Sequence, residues 1–240
     1  MIKFLIINIK EYYLKKPRYN ILKTLKYIVY KFVFNDFKIQ SFQLELPWLN
    51  FAAIDFINQF MENRKNLQVF EYGSGGSTVF FLKKGYNVVT VEHCKNWHDN
   101  VINKINQNEK WKEKWEDFYV EPEYDGLKQT AKEIENPLMY KSKGFDKYNF
   151  EKYVLTLENY PASFFDIILI DGRSRPSCIL HAVGRVKPGG IIIIDNSERD
   201  YYLTEKTKNI LNDYRVVFDA FAPILGVKTF TRTTIFQKKY

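Results

Sequence analysis

Apolar positions along the chain follow two spacings in turn, and the alternation outlines strands and helices. Residues 68–72 hold the strand formers Val69 and Phe70, and a turn follows at Gly73, Gly75 and Gly76. Ser77 and Thr78 open an apolar helical stretch that ends in Lys83, Lys84 and Gly85, and Asn87 to Val91 is a β-branched run closed by Glu92. Trp97, Val101, Ile102 and Ile105 have helical spacing, and Asp117 to Val120 reads as a third strand. Farther on, Phe164 to Ile170 is an apolar strand, and Cys178, Ile179, Ala182, Val183 and Val186 mark one buried helix face. Ile191 to Ile194 is apolar throughout, as a strand covered on both faces requires. Strands near 214–218 and 233–236 close the pattern. Together these predict an α/β fold with parallel strands joined by right-handed crossovers.

Three stretches stand apart from that rhythm. Residues 21–34 place Ile21, Leu25, Ile28 and Phe32 on one helical stripe flanked by Leu22, Val29 and Val33, with Lys23, Lys26, Tyr27, Tyr30 and Lys31 on the other face. An extended connector at 37–46 leads to a helix from Pro47 whose stripe is Leu49, Ala53, Phe56, Ile57 and Phe60. Residues 121–165 form a long insertion: turns at Asp125-Gly126, Asn136-Pro137 and Lys143-Gly144, then Phe150, Tyr153, Val154 and Leu157 at helical spacing. The insertion is expected either to help form a substrate pocket or its lid, or to be a surface excursion. The domain plan is an extension at 1–45 and a body at 46–240.

Charge changes this picture in one place. The formal net charge is +8, but residues 1–40 hold nine Lys/Arg against Glu11 and Asp36, leaving 27 basic and 26 acidic residues in the other 200. The body is therefore no nucleic-acid binder by charge. The basic, aromatic-rich extension suits either packing on its own domain or peripheral contact with an anionic membrane through residues 1–40. Two cysteines, Cys94 and Cys178, give no disulfide framework, and no apolar run reaches the roughly 20 residues that span a bilayer. A cytoplasmic location, membrane-peripheral if the extension docks, is the expectation.

The right-handed βαβ unit brings the glycine turn and Glu92 to one carboxyl edge of the sheet, where a nucleoside ligand belongs. A dinucleotide fingerprint would put a third glycine where Thr78 stands, and Glu71 would repel a pyrophosphate while suiting a cationic amino acid moiety. With its acid before G-x-G and its acid ending strand two, this stretch resembles the class I S-adenosylmethionine-dependent methyltransferases. A second block, Phe164 to Ile170 followed by Asp171-Gly172, a helix, Lys187-Pro188-Gly189-Gly190 and a strand ending Asp195-Asn196, is similar to the same family. The resemblance spans roughly 48–240. It implies a Rossmann-like, doubly wound, mostly parallel seven-stranded sheet in the order 3-2-1-4-5-7-6, the last strand antiparallel, here with an N-terminal helical extension. It also implies S-adenosylmethionine as cofactor, held by Glu71, Gly73, Ser74, Gly75, Ser77, Thr78, Glu92 and His93, with Glu92 on the ribose hydroxyls. By the same resemblance Glu121 and Pro122 would border the adenine.

Glu71, Glu92, Asp171 and Asp195 all end strands, so their carboxyls would rim one crevice. Resemblance places Asp171 near the transferring methyl, to position the acceptor or take its proton. Asp171, Asp195 and Asn196 together resemble the divalent-metal site of catechol-type O-methyltransferases, which implies Mg²⁺. The bland alternative is that these acids are turn formers and caps, with Ser174, or Ser197 with Asp200, capping instead. Arg173 and Arg175 would meet an anionic acceptor. Ile170-Asp171-Gly172-Arg173 stands where N-P-P-Y or D-P-P-Y would mark methylation of a base amine. A small-molecule or glycan acceptor, methylated at oxygen, is the favoured reading. An NAD-type oxidoreductase and a non-catalytic docking protein of the same fold are the alternatives. His98 and His181 lie within helices and are expected to pack or face solvent.

Overall fold

The computed structural model describes residues 21–36, 40–226 and 229–240. Residues 1–20 of the basic extension and residues 37–39 of the connector lie outside the described residues. In chain order the elements are α1 (Ile21–Asp36), α2 (Phe51–Met61), β1 (Gln68–Tyr72), α3 (Gly76–Lys83), β2 (Asn87–Glu92), α4 (Lys95–Ile105), α5 (Glu109–Lys112), β3 (Trp115–Tyr119), β4 (Glu123–Tyr124), α6 (Ala131–Glu135), β5 (Tyr148–Asn149), α7 (Glu151–Leu155), β6 (Phe165–Ile170), α8 (Arg175–Ala182), β7 (Val186–Asp195), α9 (Glu205–Ile210), β8 (Tyr214–Ala222) and β9 (Thr231–Lys238). Seven strands form one sheet in the order β3-β2-β1-β6-β7-β9-β8, and β4 pairs with β5 in a separate hairpin within the insertion. Strands β3 to β7 of the main sheet run parallel, and β9 runs antiparallel to both β7 and β8. This is the expected doubly wound arrangement.

Register explains why the central strands are apolar throughout. Val69, Ile167 and Ile191 stand side by side and face one layer, while Phe70, Ile168 and Ile192 stand side by side and face the other. Because successive residues point to opposite faces, a strand with helices on both sides has no polar position to spare. The first layer is filled by α2, α3 and α4 through Ala53, Ile57, Phe81, Val101 and Ile105. The second is filled by the insertion and α8 through Phe150, Tyr153, Val154, Leu157, Cys178 and Ile179, all fully buried. The insertion is therefore half core: its helical face forms part of the second layer.

Two helices differ from their predicted faces. In α1 the buried residues are Thr24, Tyr27, Ile28 and Lys31, whereas Leu22, Leu25, Val29 and Val33 face outward. The selecting contact is Tyr27, whose hydroxyl donates to Asp55 Oδ2 at 2.5 Å and whose ring stacks 6.0 Å from Phe51. A tyrosine with a distant acceptor is a better core residue here than the leucine stripe. Helix α2 starts at Phe51, not Pro47, because Asn50 is its N-cap. It buries Phe51, Ala52, Ala53, Ile54, Ile57 and Met61, leaving Phe56 and Phe60 partly covered.

Asn50 also joins that helix to the sheet. Its Oδ1 accepts from the Ala53 amide at 2.9 Å, and its Nδ2 reaches Ala220 O and Thr231 O, each at 3.2 Å, and Thr233 Oγ1 at 3.0 Å. Asn50→Ala removes a cap and strands buried acceptors on β8 and β9. Urea denaturation is expected to show a loss of about 2 kcal/mol or more; a loss within about 0.5 kcal/mol, the range of a surface change, would contradict that role.

Candidate functional site

The carboxyl ends of β1, β2, β6 and β7 open into one cleft of about 1490 Å³. Its floor is the turn after β1. Gly73 has φ 103°, a conformation that disfavours any side chain, and its amide donates to Val91 O at 2.8 Å, tying the turn to β2. Beside it, the end of β6 comes so close that a Cβ on Gly172 would overlap the Tyr153 hydroxyl and press on the Tyr72 carbonyl. The glycine that follows Asp171 is thus required by packing.

Of the residues read from sequence as cofactor contacts, Gly73, Ser74, Gly75, Ser77, Glu92 and His93 line the cleft. Glu92 accepts from the amides of Ser74 (3.1 Å), His93 (2.8 Å) and Cys94 (2.9 Å). Burial works to raise its pKa, but the bonds from His93 and Cys94 overcome that and hold it below the usual carboxyl range. His93 Nδ1 lies 2.9 Å from Glu92 Oε1, though off the line of a good hydrogen bond, and the ring packs edge-on against Phe145, Phe150 and Tyr153.

Glu71 and Thr78 lie beneath the turn and not on the cleft wall. The Gly75 amide donates to Thr78 Oγ1 at 2.9 Å, and that hydroxyl donates to Glu71 Oε2 at 2.7 Å. This chain holds the turn from below and uses the position where a dinucleotide fingerprint has glycine. Glu71 Oε1 is buried with no hydrogen-bond partner, and desolvation pushes the carboxyl up to about 8 despite the Thr78 bond.

Asp171, Asp195 and Asn196 also reach the cleft, together with an arginine that lies between the first two. Arg175 is 5% exposed. Its guanidinium donates to Asp171 Oδ1 (2.9 Å), Asp171 O (2.6 Å), Gly172 O (3.1 Å) and Asp195 O. Desolvation raises Asp171 above the ordinary carboxyl range against the pull of Arg175, Arg199 and Arg173. Asp195 accepts from Thr233 Oγ1 at 2.9 Å and is pushed up to about 8 by desolvation and then by Asp171.

These residues do not fit the expected divalent cation. Asp171 is already paired with a guanidinium, and Asp195 Oδ1 is taken by the Thr233 hydroxyl. Among the described residues no cluster of three His, Cys, Asp or Glu is arranged for a metal. Arg175 has most of its donors engaged by the protein itself. Ser174 does not cap α8 with its side chain: its hydroxyl donates to Ser177 Oγ at 3.1 Å. Ser197 bonds Thr234 Oγ1 at 2.7 Å and begins no helix. Glu121 and Pro122 stand away from the cleft wall. His98, bonded to Asp117 at 2.7 Å, and His181, bonded to Glu158 at 2.8 Å, are packing residues.

The sequence reading missed several wall residues. Trp97 donates its indole N–H to Ser74 O at 2.7 Å and packs 5.2 Å from Phe42. Phe145 of the insertion, Arg199 after β7 and Phe230 before β9 complete the wall. Only Trp97 carried a local signal, as a large indole in the first turn after β2.

Glu71 yields a pH signature. Its carboxyl ordinarily titrates at 4.5 and in the fold at about 8, so between these values only the native state holds the proton and stability falls as pH rises. Glu71→Gln removes that slope, up to about 1.4 kcal/mol per pH unit. In urea denaturation the variant is expected to gain on the wild type from about pH 5 to about pH 8; parallel profiles would contradict a protonated Glu71.

No protein-family model and no curated protein sequence matches the chain. Among solved structures, an O-methyltransferase from Bacillus cereus in complex with SAH superposes with a TM-score of 0.54 at 16% identity, covering 90% of this chain and 100% of that one. The N-methyltransferase NodS from Bradyrhizobium japonicum WM9 gives 0.48 at 10% identity over 79% of this chain and 95% of that one. Strand order, the antiparallel β9 and the first of these superpositions agree: the chain has the Rossmann-like fold of the class I S-adenosylmethionine-dependent methyltransferases.

Proposed function

We propose that this protein transfers a methyl group from S-adenosylmethionine to an oxygen of a small-molecule or glycan acceptor. The observation that carries the reading is the glycine turn and Glu92 facing Asp171 across one cleft. Glu92, ionised and pre-oriented by three amides, is placed to accept from a ribose diol. The Gly73–Gly76 turn presents backbone without side chains to the amino acid portion. Glu71 shapes that turn from below.

The bound cofactor supplies an electrophilic sulfonium methyl; the protein's part is alignment and proton handling. Asp171 is suited to both. Desolvation makes it a stronger base than a surface aspartate, and Arg175 locks its carboxyl in one orientation. An acceptor hydroxyl donating to the free side of Asp171 would be oriented toward the methyl and would lose its proton there. Oxygen is favoured as the acceptor atom because Ile170-Asp171-Gly172-Arg173 stands where N-P-P-Y or D-P-P-Y would mark methylation of a base amine. In this scheme Arg175 supplies the positive charge beside Asp171.

Calorimetry with S-adenosylhomocysteine (SAH), with NAD as control, tests the cofactor. SAH is expected to bind and NAD not to. Glu92→Ala should weaken SAH by at least about tenfold, the worth of charged hydrogen bonds of about 1.5–3 kcal/mol. NAD binding would favour an oxidoreductase, and binding of neither would favour a docking role.

A further inference from the structure

Two cleft arginines carry no ion pair among the described residues. Arg173 and Arg199 both line the cleft, and both lie near enough to Asp171 to lower its pKa. Among the described residues neither is ion-paired, whereas Arg175, Arg185 and Arg232 each have a carboxylate partner. Each is instead held against an aromatic ring. Arg173 lies 4.8 Å over Phe145, with its Nε 3.4 Å from His93 Nε2. Arg199 lies 5.7 Å from the Tyr202 ring and donates to its hydroxyl at 3.0 Å, while Arg175 covers the same ring at 5.0 Å. Lys143 of the insertion sits 5.2 Å over Tyr201, so the segment carrying Phe145 and the turn carrying Arg199 touch.

Ring contact and one hydrogen bond each keep these guanidiniums in place and leave their other edge donors available, which pre-organises them for a planar or tetrahedral anion. The acids beside them form no ion pair with either: Asp171 is taken by Arg175, and Glu198, also on the wall, accepts from the Arg232 amide at 2.9 Å. The cleft also has room, since about 1490 Å³ exceeds the roughly 300–1,000 Å³ of a site for one small ligand.

We infer that Arg173 and Arg199 form an anion clamp for the acceptor, which carries a carboxylate or phosphate group a short reach from the hydroxyl to be methylated. This rests on the methyltransferase reading for what the acceptor undergoes, but the clamp itself rests on the two arginines. It replaces the pair Arg173 and Arg175 suggested by sequence with Arg173 and Arg199.

Inorganic phosphate and, separately, acetate are titrated by calorimetry into the full chain saturated with SAH. One-site binding of at least one anion is expected. Arg199→Gln and Arg173→Gln should each weaken it by at least about tenfold, with SAH affinity kept within about twofold. Phosphate alone or acetate alone assigns the class of acceptor. The clamp is overturned if neither anion binds, if neither substitution weakens binding, or if both substitutions abolish SAH binding, which would give the arginines to the cofactor's own carboxylate. If the wild type fails to bind SAH, the same titrations on ligand-free protein still decide the clamp, while the methyltransferase reading falls alone.

Discussion

The guanidinium of Arg175 is the constraint on which the cleft depends. Its donors satisfy three main-chain carbonyls and one carboxylate at the ends of β6 and β7, so the two strand ends that carry Asp171 and Asp195 are tied to one planar group. Burying such a charge without partners would cost several kcal/mol, and here every contact is charge-assisted. Pro176 and a backbone amide ladder begin α8 immediately after it, so the helix delivers the arginine and the arginine anchors the helix. The consequence for function is geometric. The aspartate that faces the proposed acceptor cannot swing, because its other side is held.

Around that anchor the four strand-end acids are driven to different protonation states by their surroundings. Glu92 is kept ionised by amides, Asp171 is paired, and Glu71 and Asp195 are pushed up to about 8 by desolvation. Four like charges on one sheet edge would otherwise repel across neighbouring strands about 4.8 Å apart. Desolvation of two of them lessens that repulsion, and the split arises from packing: Glu71 lies under the turn and Asp195 beside Thr233 of β9, whereas Glu92 meets three N–H groups.

The strands, their order and the glycine turn were legible in the sequence because each is specified locally. β-branched runs, glycines with one required conformation and a single parallel crossover hand leave little choice. Side-chain partnership over long range was not legible. Nothing near Tyr27 announces Asp55, 28 residues away, and without it the leucine stripe of α1 looks like the buried face. Arg175 and Arg199 are both arginines after strands, with no local difference to show that one is buried among carbonyls and the other faces the cleft. The same holds for the metal expectation: Asp171, Asp195 and Asn196 spell a known pattern, and the guanidinium that pairs with Asp171 lies four positions past it.

The wall opposite the strand ends is built from the segments with the weakest sequence pattern. Phe42 and Trp48 come from the connector, Phe145 from the insertion, Arg199 from the turn after β7, and Phe230 from the loop before β9. A rigid sheet can carry such loops with little cost to stability, since their backbone satisfies itself locally and their side chains need only shield the cleft. Under the proposed function, cofactor recognition would sit on strand ends and the turn after β1, which the core holds in place, and acceptor recognition on the loops, so that two chemically different demands would meet on opposite walls of one cleft.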